Sequence, residues 1–159
     1  MKRIPLTKGK FALVDDEDYK WLNQWKWHAF KQKTTNCWYA RRIINTYEER
    51  FSLGMHRDIL KPKKENDCDH IDGNGLNNRR SNLRECTRSQ NSQNQVSTCG
   101  SSKYKGVCWD KDKKKWLASI YWKGKNVYLA RTNNEEDSAI YYNVAAQFLF
   151  GEFARLNNV

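Results

Sequence analysis

From Asp69 to Asn91 the chain reads D-H-I-D-G-N-G-L-N-N-R-R-S-N-L-R-E-C-T-R-S-Q-N, with five Asn, two Gly and only Ile71, Leu76, Leu83 and Cys86 as apolar residues. That is too little apolar surface for a long helix or a broad sheet. Asn, Asp and Gly favour turns, because they tolerate left-handed backbone or close hydrogen bonds onto it. The segment Cys68 to Thr87 is therefore expected to begin and end with short strands around a Gly/Asn-rich loop, and the polar run Arg88 to Gln95 to continue as a helix. A strand, loop, strand and helix in that order can gather Asp69, His70, Asn82 and Asn91, although 1, 12 and 9 residues separate them along the chain.

Those four side chains have the parts for phosphodiester hydrolysis, which needs a cation to neutralise the phosphate and leaving oxygen and a base to activate water. Asp69 offers a charged oxygen and Asn91 a neutral one, a donor set suited to magnesium, which keeps most of its positions for water and phosphate. His70 titrates near physiological pH and can take the proton. Asn82 is expected to fix the orientation of the imidazole. Arg79, Arg80, Arg84 and Arg88 lie in the loop and its flanks, as expected of phosphate contacts. An isolated Asp-His pair is more often a turn or a surface pair, and Asn-rich loops are common, but neither explains the whole ordered pattern.

That pattern resembles the HNH endonucleases of phages and mobile introns, the ββα-metal type. The resemblance implies His70 as general base, Asp69 and Asn91 as ligands of a divalent metal, and Asn82 as the central Asn. Many wider relatives carry His at the last position. Asn91 there, a neutral oxygen donor, favours magnesium or manganese over zinc. His56, in Met55-His56-Arg57-Asp58, matches a short helix upstream of the motif in such phage proteins and is read as structural. His28 is read as an ordinary core or surface histidine.

With 159 residues the chain can form one ordinary domain or two to three small ones. A net charge of +11 points to a polyanionic partner, nucleic acid or an anionic membrane. No apolar stretch approaches spanning length and the start MKRIPLTKGK lacks a signal core, so a membrane is not expected. Cys37, Cys68, Cys86, Cys99 and Cys108 include no C-x-x-C pair and read as reduced thiols, and a structural zinc among them is not expected. Residues 1–61 hold 13 basic and 7 acidic groups, 62–98 hold 6 and 5, and 99–159 hold 10 and 6. The expected organisation is α+β: an N-terminal α+β subdomain over 1–61, the motif and its helix over 62–98, and a third module over 99–159. In the first, Asp15 to Asp18 open a helix carrying Tyr19, Leu22 and Trp25; Trp38 to Ile44 and Phe51 to Leu53 are strands, and Met55 to Leu60 is a brief helix ended by Pro62. The run Ser89 to Ser102 reads as a polar helix fading into a linker.

From Ser102 onward the pattern changes to strands at Tyr104 to Trp109, Lys115 to Lys123 and Asn126 to Ala130, then to a helix that starts at Asn133 to Glu136 and stops at Gly151. Residues 99–134 hold nine basic and two acidic groups, whereas 135–159 hold one and four, so the sheet and not the helix is the face for DNA. Period-two alternation turns Val107, Trp116, Ala118, Ile120, Val127 and Leu129 inward and leaves Lys105, Ser119, Tyr121, Asn126 and Tyr128 outward, with Trp109 and Lys111 by the first turn. Y-K-G-V-x-W, K-W-x-A-x-I, G-K-x-V-Y-L-A and A-A-Q-F-L-F-G-E-F-A-R-L-N resemble the DNA-binding domain of the plant ethylene-response-factor family. Where that family carries arginine or tryptophan, this chain has Lys105, Cys108, Tyr121, Asn126 and Tyr128.

Motif and appended domain together, with the KGKFALVD lead-in, resemble phage-borne HNH homing endonucleases. The resemblance implies cleavage of double-stranded DNA to a 5'-phosphate and a 3'-hydroxyl, in the cytoplasm of a bacterial host, with no small-molecule cofactor. One centre per chain and no evident dimerisation stripe favour a nicking monomer. The alternative is a repressor or architectural DNA-binding protein with an inactive centre. RNA as the target is a weaker third reading, since the sheet lacks the paired aromatic platform of RNA-recognition motifs.

Overall fold

The computed structural model of the chain describes residues 1–33, 37–96 and 100–159. The linker run Ser89 to Ser102 is covered in part, and its residues 97–99, with Cys99, lie outside the described residues. The fold is α+β, in two compact units, Met1–Asn91 and Ser92–Val159.

The first unit opens with a hairpin, β1 (Lys2–Pro5) and β2 (Phe11–Val14), that sequence reading did not register as strands because each is four residues long. Lys8 and Gly9 turn it through positive φ. Helix α1 (Asp16–Leu22) follows, then the antiparallel sheet β3 (His28–Lys31), β4 (Trp38–Asn45) and β5 (Arg50–Gly54), in that order across the sheet. Helix α2 (Met55–Leu60) ends at Lys61, which adopts the left-handed conformation just ahead of Pro62. Strands β6 (Asp67–His70) and β7 (Leu83–Cys86) pair antiparallel, and α3 (Arg88–Asn94) follows. One core joins these pieces: Ile4, Ala12 and Val14 from the hairpin, Leu22 from α1, Trp27, Ala29 and Ala40 from the sheet, Met55 and Ile59 from α2, and Cys68 and Leu83 from the β6–β7 ribbon. Burial pushes the Cys68 and Cys86 thiols up, to about 12 and about 11, so both stay protonated packing groups.

The acidic start of α1 does more than complement a helix dipole. Asp15 makes no side-chain cap bond within the helix and instead accepts the Arg80 backbone N–H at 2.8 Å. Asp18, 1% exposed, accepts both the Arg80 guanidinium, at 2.7 and 2.8 Å, and the Trp21 indole N–H at 3.0 Å.

In the second unit β8 (Val107–Asp110), β9 (Lys115–Trp122) and β10 (Lys125–Thr132) form an antiparallel sheet with β9 central, and α4 (Glu135–Phe150) lies across one face. Asn134 caps α4 by accepting the Glu136 N–H. Val107, Ala118 and Ile120 are buried and Trp116 is half-buried, as alternation requires. Val127, expected inward, is 38% exposed although it pairs with buried Ile120, and a bulge at Leu129 shifts the register beyond it. The segment after α4 is pinned by Asn157, whose side chain accepts from the Lys105 N–H and donates to the Lys105 carbonyl. Contrary to the sequence reading, α4 does carry an exposed apolar stripe, Ile140, Tyr141, Val144 and Phe148.

Gly106 lies directly against Tyr142 of α4. Its φ is +75°, and a Cβ there would run into the Tyr142 ring and stand 2.7 Å from the Ser119 carbonyl oxygen. Gly106→Ala is expected to cost the second unit about 3 kcal/mol, combining backbone strain with overpacking. Urea unfolding followed through fluorescence should show the loss, and an unchanged midpoint would mean that Tyr142 moves aside freely.

Candidate active site

Asp72, Asn74, Asn77 and Asn82 in the loop between β6 and β7 each hold the backbone or a neighbouring side chain in place. Asp72 anchors it, accepting the Asn74 N–H at 2.7 Å, the Asn77 amide at 2.7 Å and the Asn82 amide at 2.9 Å. Partial burial pushes the Asp72 carboxyl up, but these donated hydrogen bonds outweigh it and hold the group below the usual carboxylate range. The Asn74 side chain accepts the Leu76 N–H, and Gly73, at φ +75°, turns the chain back so that its N–H reaches the His70 carbonyl. Gly75 passes so close to β4 that a Cβ would collide with the Trp38 carbonyl and the Tyr39 ring. Residues 76–78 then clip onto β2: Leu13 donates to the Leu76 carbonyl and accepts the Asn78 N–H, each at 2.8 Å.

His70 ends β6, 5% exposed, among Tyr39, His56 and Asn78. Its ring meets the His56 ring edge-on at 4.9 Å and the Tyr39 ring at 5.9 Å. Its Nε2 lies 3.3 Å from Oδ1 of Asn78, a residue with no exposed surface. Burial lowers the His70 pKa below the ordinary imidazole value; Asn78, Asp72 and Asp69 oppose that without cancelling it, so the ring is neutral at pH 7. His56 is pushed down to about 3, first by burial and then by the nearby charges of His70, Arg57 and Arg41. Two buried polar atoms around this cluster, His56 Nδ1 and Asn78 Nδ2, have no hydrogen-bond partner among the described residues.

Asn82 corrects one expectation. Its side chain does not orient the imidazole: Oδ1 accepts the Asp72 N–H, and Nδ2 donates to Asp72 and to the Asn77 carbonyl. It closes the loop on itself, and the residue on the imidazole is Asn78. The arginines also divide. Arg80, expected on phosphate, is committed to Asp18 and Glu17 and braces the loop against α1. Arg84 is likewise committed, through Nε and an Nη both bonded to Asp69 Oδ2, with Asp69 buried and Arg84 half-buried. Arg79 donates to Asn77 Oδ1 at 2.9 Å from the outer side of the loop.

The comparisons with known proteins fall on the same segment. Residues 62–93 match the sequence profile of the family described as HNH endonuclease. An uncharacterized HNH endonuclease of Acanthamoeba polyphaga mimivirus is 34% identical over 161 aligned positions, covering 96% of this chain and 77% of that protein. The chain belongs to the HNH endonuclease family. A shorter match, 34% identical over 88 residues, covers 55% of the chain and 72% of Protein 3.8 of Escherichia phage T7.

An HNH endonuclease is a phosphodiester hydrolase acting on DNA, and the family generally uses a divalent metal. The donors here fit such an ion. Asp69 on β6 offers a charged oxygen donor, and because a carboxylate can accept about four hydrogen bonds or ligands, the grip of Arg84 on Oδ2 does not exhaust it. Asn91 on α3 donates its Nδ2 to Asp67 at 3.4 Å, so the carboxamide oxygen is the atom it could offer to a metal. Among the described residues no group of three or more His, Cys, Asp or Glu gathers, so the set suits a hard ion that keeps several waters.

In the second unit of this HNH endonuclease the pairing Tyr128↔Ser119 and Asn126↔Tyr121 places those four residues on the sheet face away from α4, as expected, with Tyr121 66% and Tyr128 57% exposed. Lys111 is exposed in the β8–β9 turn. Two expected contacts leave that set. Trp109 pairs with Trp116, whose ring packs on the core, and meets it edge-on at 5.1 Å, so it lies on the helix side. Lys105 is not outward either: its ammonium donates to the carbonyls of Gln93 and Gln95, and burial lowers its pKa to about 8.

Proposed function

We propose that the chain is a magnesium-dependent HNH endonuclease of the phage homing type that nicks double-stranded DNA. The observation that carries this reading is the buried His70 next to the buried Asp69 at the end of a β6–loop–β7–α3 unit whose loop is hydrogen-bonded into place through Asp72, Asn74 and Asn82. His70 takes the proton from the attacking water. Asp69 and Asn91 hold the metal, whose charge, when bound, neutralises the scissile phosphate and the leaving oxygen. Manganese is the expected substitute. The products are a 5'-phosphate and a 3'-hydroxyl.

Arg84 fixes the Asp69 carboxylate, and Asn78 fixes the imidazole by accepting from Nε2–H, which leaves Nδ1 as the basic atom of the neutral ring. Asn78→Leu is expected to lower cleavage about 10- to 100-fold with DNA affinity unchanged, the range of a misplaced general base. Asn78→Asp, which keeps an acceptor oxygen, should retain more activity. Equal rates for Leu and Asp would remove Asn78 from this role.

The second unit, of ethylene-response-factor type in this reading, binds duplex DNA through Ser119, Tyr121, Asn126 and Tyr128, with Lys111 at the rim. Arg79 and Arg88 contact phosphates near the motif. The experiment is binding and cleavage of matched duplex DNA, single-stranded DNA and RNA by the purified chain. Duplex binding with cleavage to 5'-phosphate ends supports the proposal. Duplex binding without a product in magnesium or manganese supports the repressor reading, and preference for RNA overturns both.

A further inference from the structure

Two of the four arginines that sequence reading assigned to phosphate are spoken for, Arg80 by Asp18 and Arg84 by Asp69, while Arg42 and Arg57 on the neighbouring elements pair with Asp58 and Asp67. Arg41 differs. It has no ion pair among the described residues, and its guanidinium carbon sits 4.1 Å from the centre of the Phe30 ring. None of the strands β3, β4 and β5 contains an Asp or Glu.

The register shows where Arg41 lies. Across the sheet it pairs with His28 and Gly54, and the next row on the same face pairs Phe30 with Tyr39. Gly54 leaves space for the His56 ring, since a Cβ there would stand 2.7 Å from His56 Cε1. His56 and Tyr39 both touch the ring of His70. Arg41 therefore stands on the face of the sheet that carries the edge of the catalytic cluster, close enough for its charge to act on His56. That face also exposes Phe30, 42%, and Ile43, 44%.

We propose that Arg41 contacts the scissile phosphate, and that the outward face of β3–β4–β5 is the bed for the strand being cut. This rests on the nuclease reading above and adds the residue that reading lacks, a cation from outside the motif. A guanidinium stacked on an aromatic ring keeps its N–H edge free for two phosphate oxygens, and the ring limits its side-chain motion. The strands supply electropositive and apolar surface with no carboxylate of their own, and the exposed Glu48 and Glu49 sit in the β4–β5 turn, at the other end of β5 from Gly54 and Arg41. Arg41 binds the phosphate while His70 activates water beside it, and stabilises charge that grows on the phosphate oxygens as the bond breaks.

The test uses the full chain with Arg41→Gln and Arg41→Lys. Binding to a short fluorescein-labelled duplex is measured in EDTA across a salt series, cleavage of supercoiled plasmid is measured under single-turnover conditions at saturating protein, and thermal melting checks the fold. Arg41→Gln is expected to flatten the plot of log K against log salt by about 0.9, the share of one phosphate contact, and to slow cleavage about 100-fold at saturation. Arg41→Lys should keep the salt slope and still cut about 10-fold slower, because a point charge does not stack or bind in two-fold fashion. An unchanged slope for Arg41→Gln overturns the proposal. So does a reduced slope with wild-type cleavage at saturation, which would place the contact away from the cut. Binding without cleavage by the wild-type chain would instead defeat the nuclease reading, and is told apart because wild type and variant are then equally inactive.

Discussion

His70→Ala is expected to lower magnesium-dependent cleavage by about 1,000-fold or more while duplex affinity, measured in EDTA, stays within about 2-fold of wild type. The expectation rests on separation of tasks. His70 is 5% exposed and offers little surface to DNA, so its loss removes a base and not a binding contact. The truncation also leaves a space beside His56 and Tyr39, which gives the melting temperature as a control. The pH profile carries a second sign. Because burial lowers the His70 pKa below the ordinary imidazole value, the wild-type rate should rise out of the acid range with its midpoint below pH 6.5. A rate that keeps climbing through pH 7 would point to a base other than His70. Loss of binding together with cleavage would make His70 a structural residue.

Asp69→Ala should abolish cleavage and also destabilise the first unit. The carboxylate is 6% exposed and holds the half-buried Arg84 guanidinium through two hydrogen bonds, so removing it takes that partner from the Arg84 charge at a cost of about 2 kcal/mol. The two effects can be separated. Adding Arg84→Met to Asp69→Ala removes the stranded charge and should recover much of the stability, with no recovery of cleavage. If the double variant cuts DNA, Asp69 serves only to hold Arg84.

The motif was readable because its chemistry and its turns are written in neighbouring residues. The β6–loop–β7–α3 order follows from where Gly73, Gly75 and the Asn residues fall, and so does the outward set Ser119, Tyr121, Asn126 and Tyr128, which obeys simple alternation. What was not readable depends on partners far away in sequence. Arg80 looks like a phosphate ligand until Asp18, 62 residues earlier, is seen to hold it. Asn78 and Asn82 are the same residue type four positions apart, and only the clip of residues 76–78 onto Leu13 decides which of them reaches the imidazole. Trp109 follows the strand register and not its position by a turn. Lys105 meets carbonyls, Gln93 and Gln95, that no side-chain pattern announces. Arg41 carries no motif at all; its place comes from the pairing of β4 with β3 and β5.

Supercoiled plasmid incubated with the wild-type chain in magnesium, manganese or EDTA tests the central claim most directly. The account predicts open-circular DNA that accumulates ahead of any linear product, in either metal and not in EDTA. Equal product in EDTA, or duplex binding with no product in either metal, would contradict it.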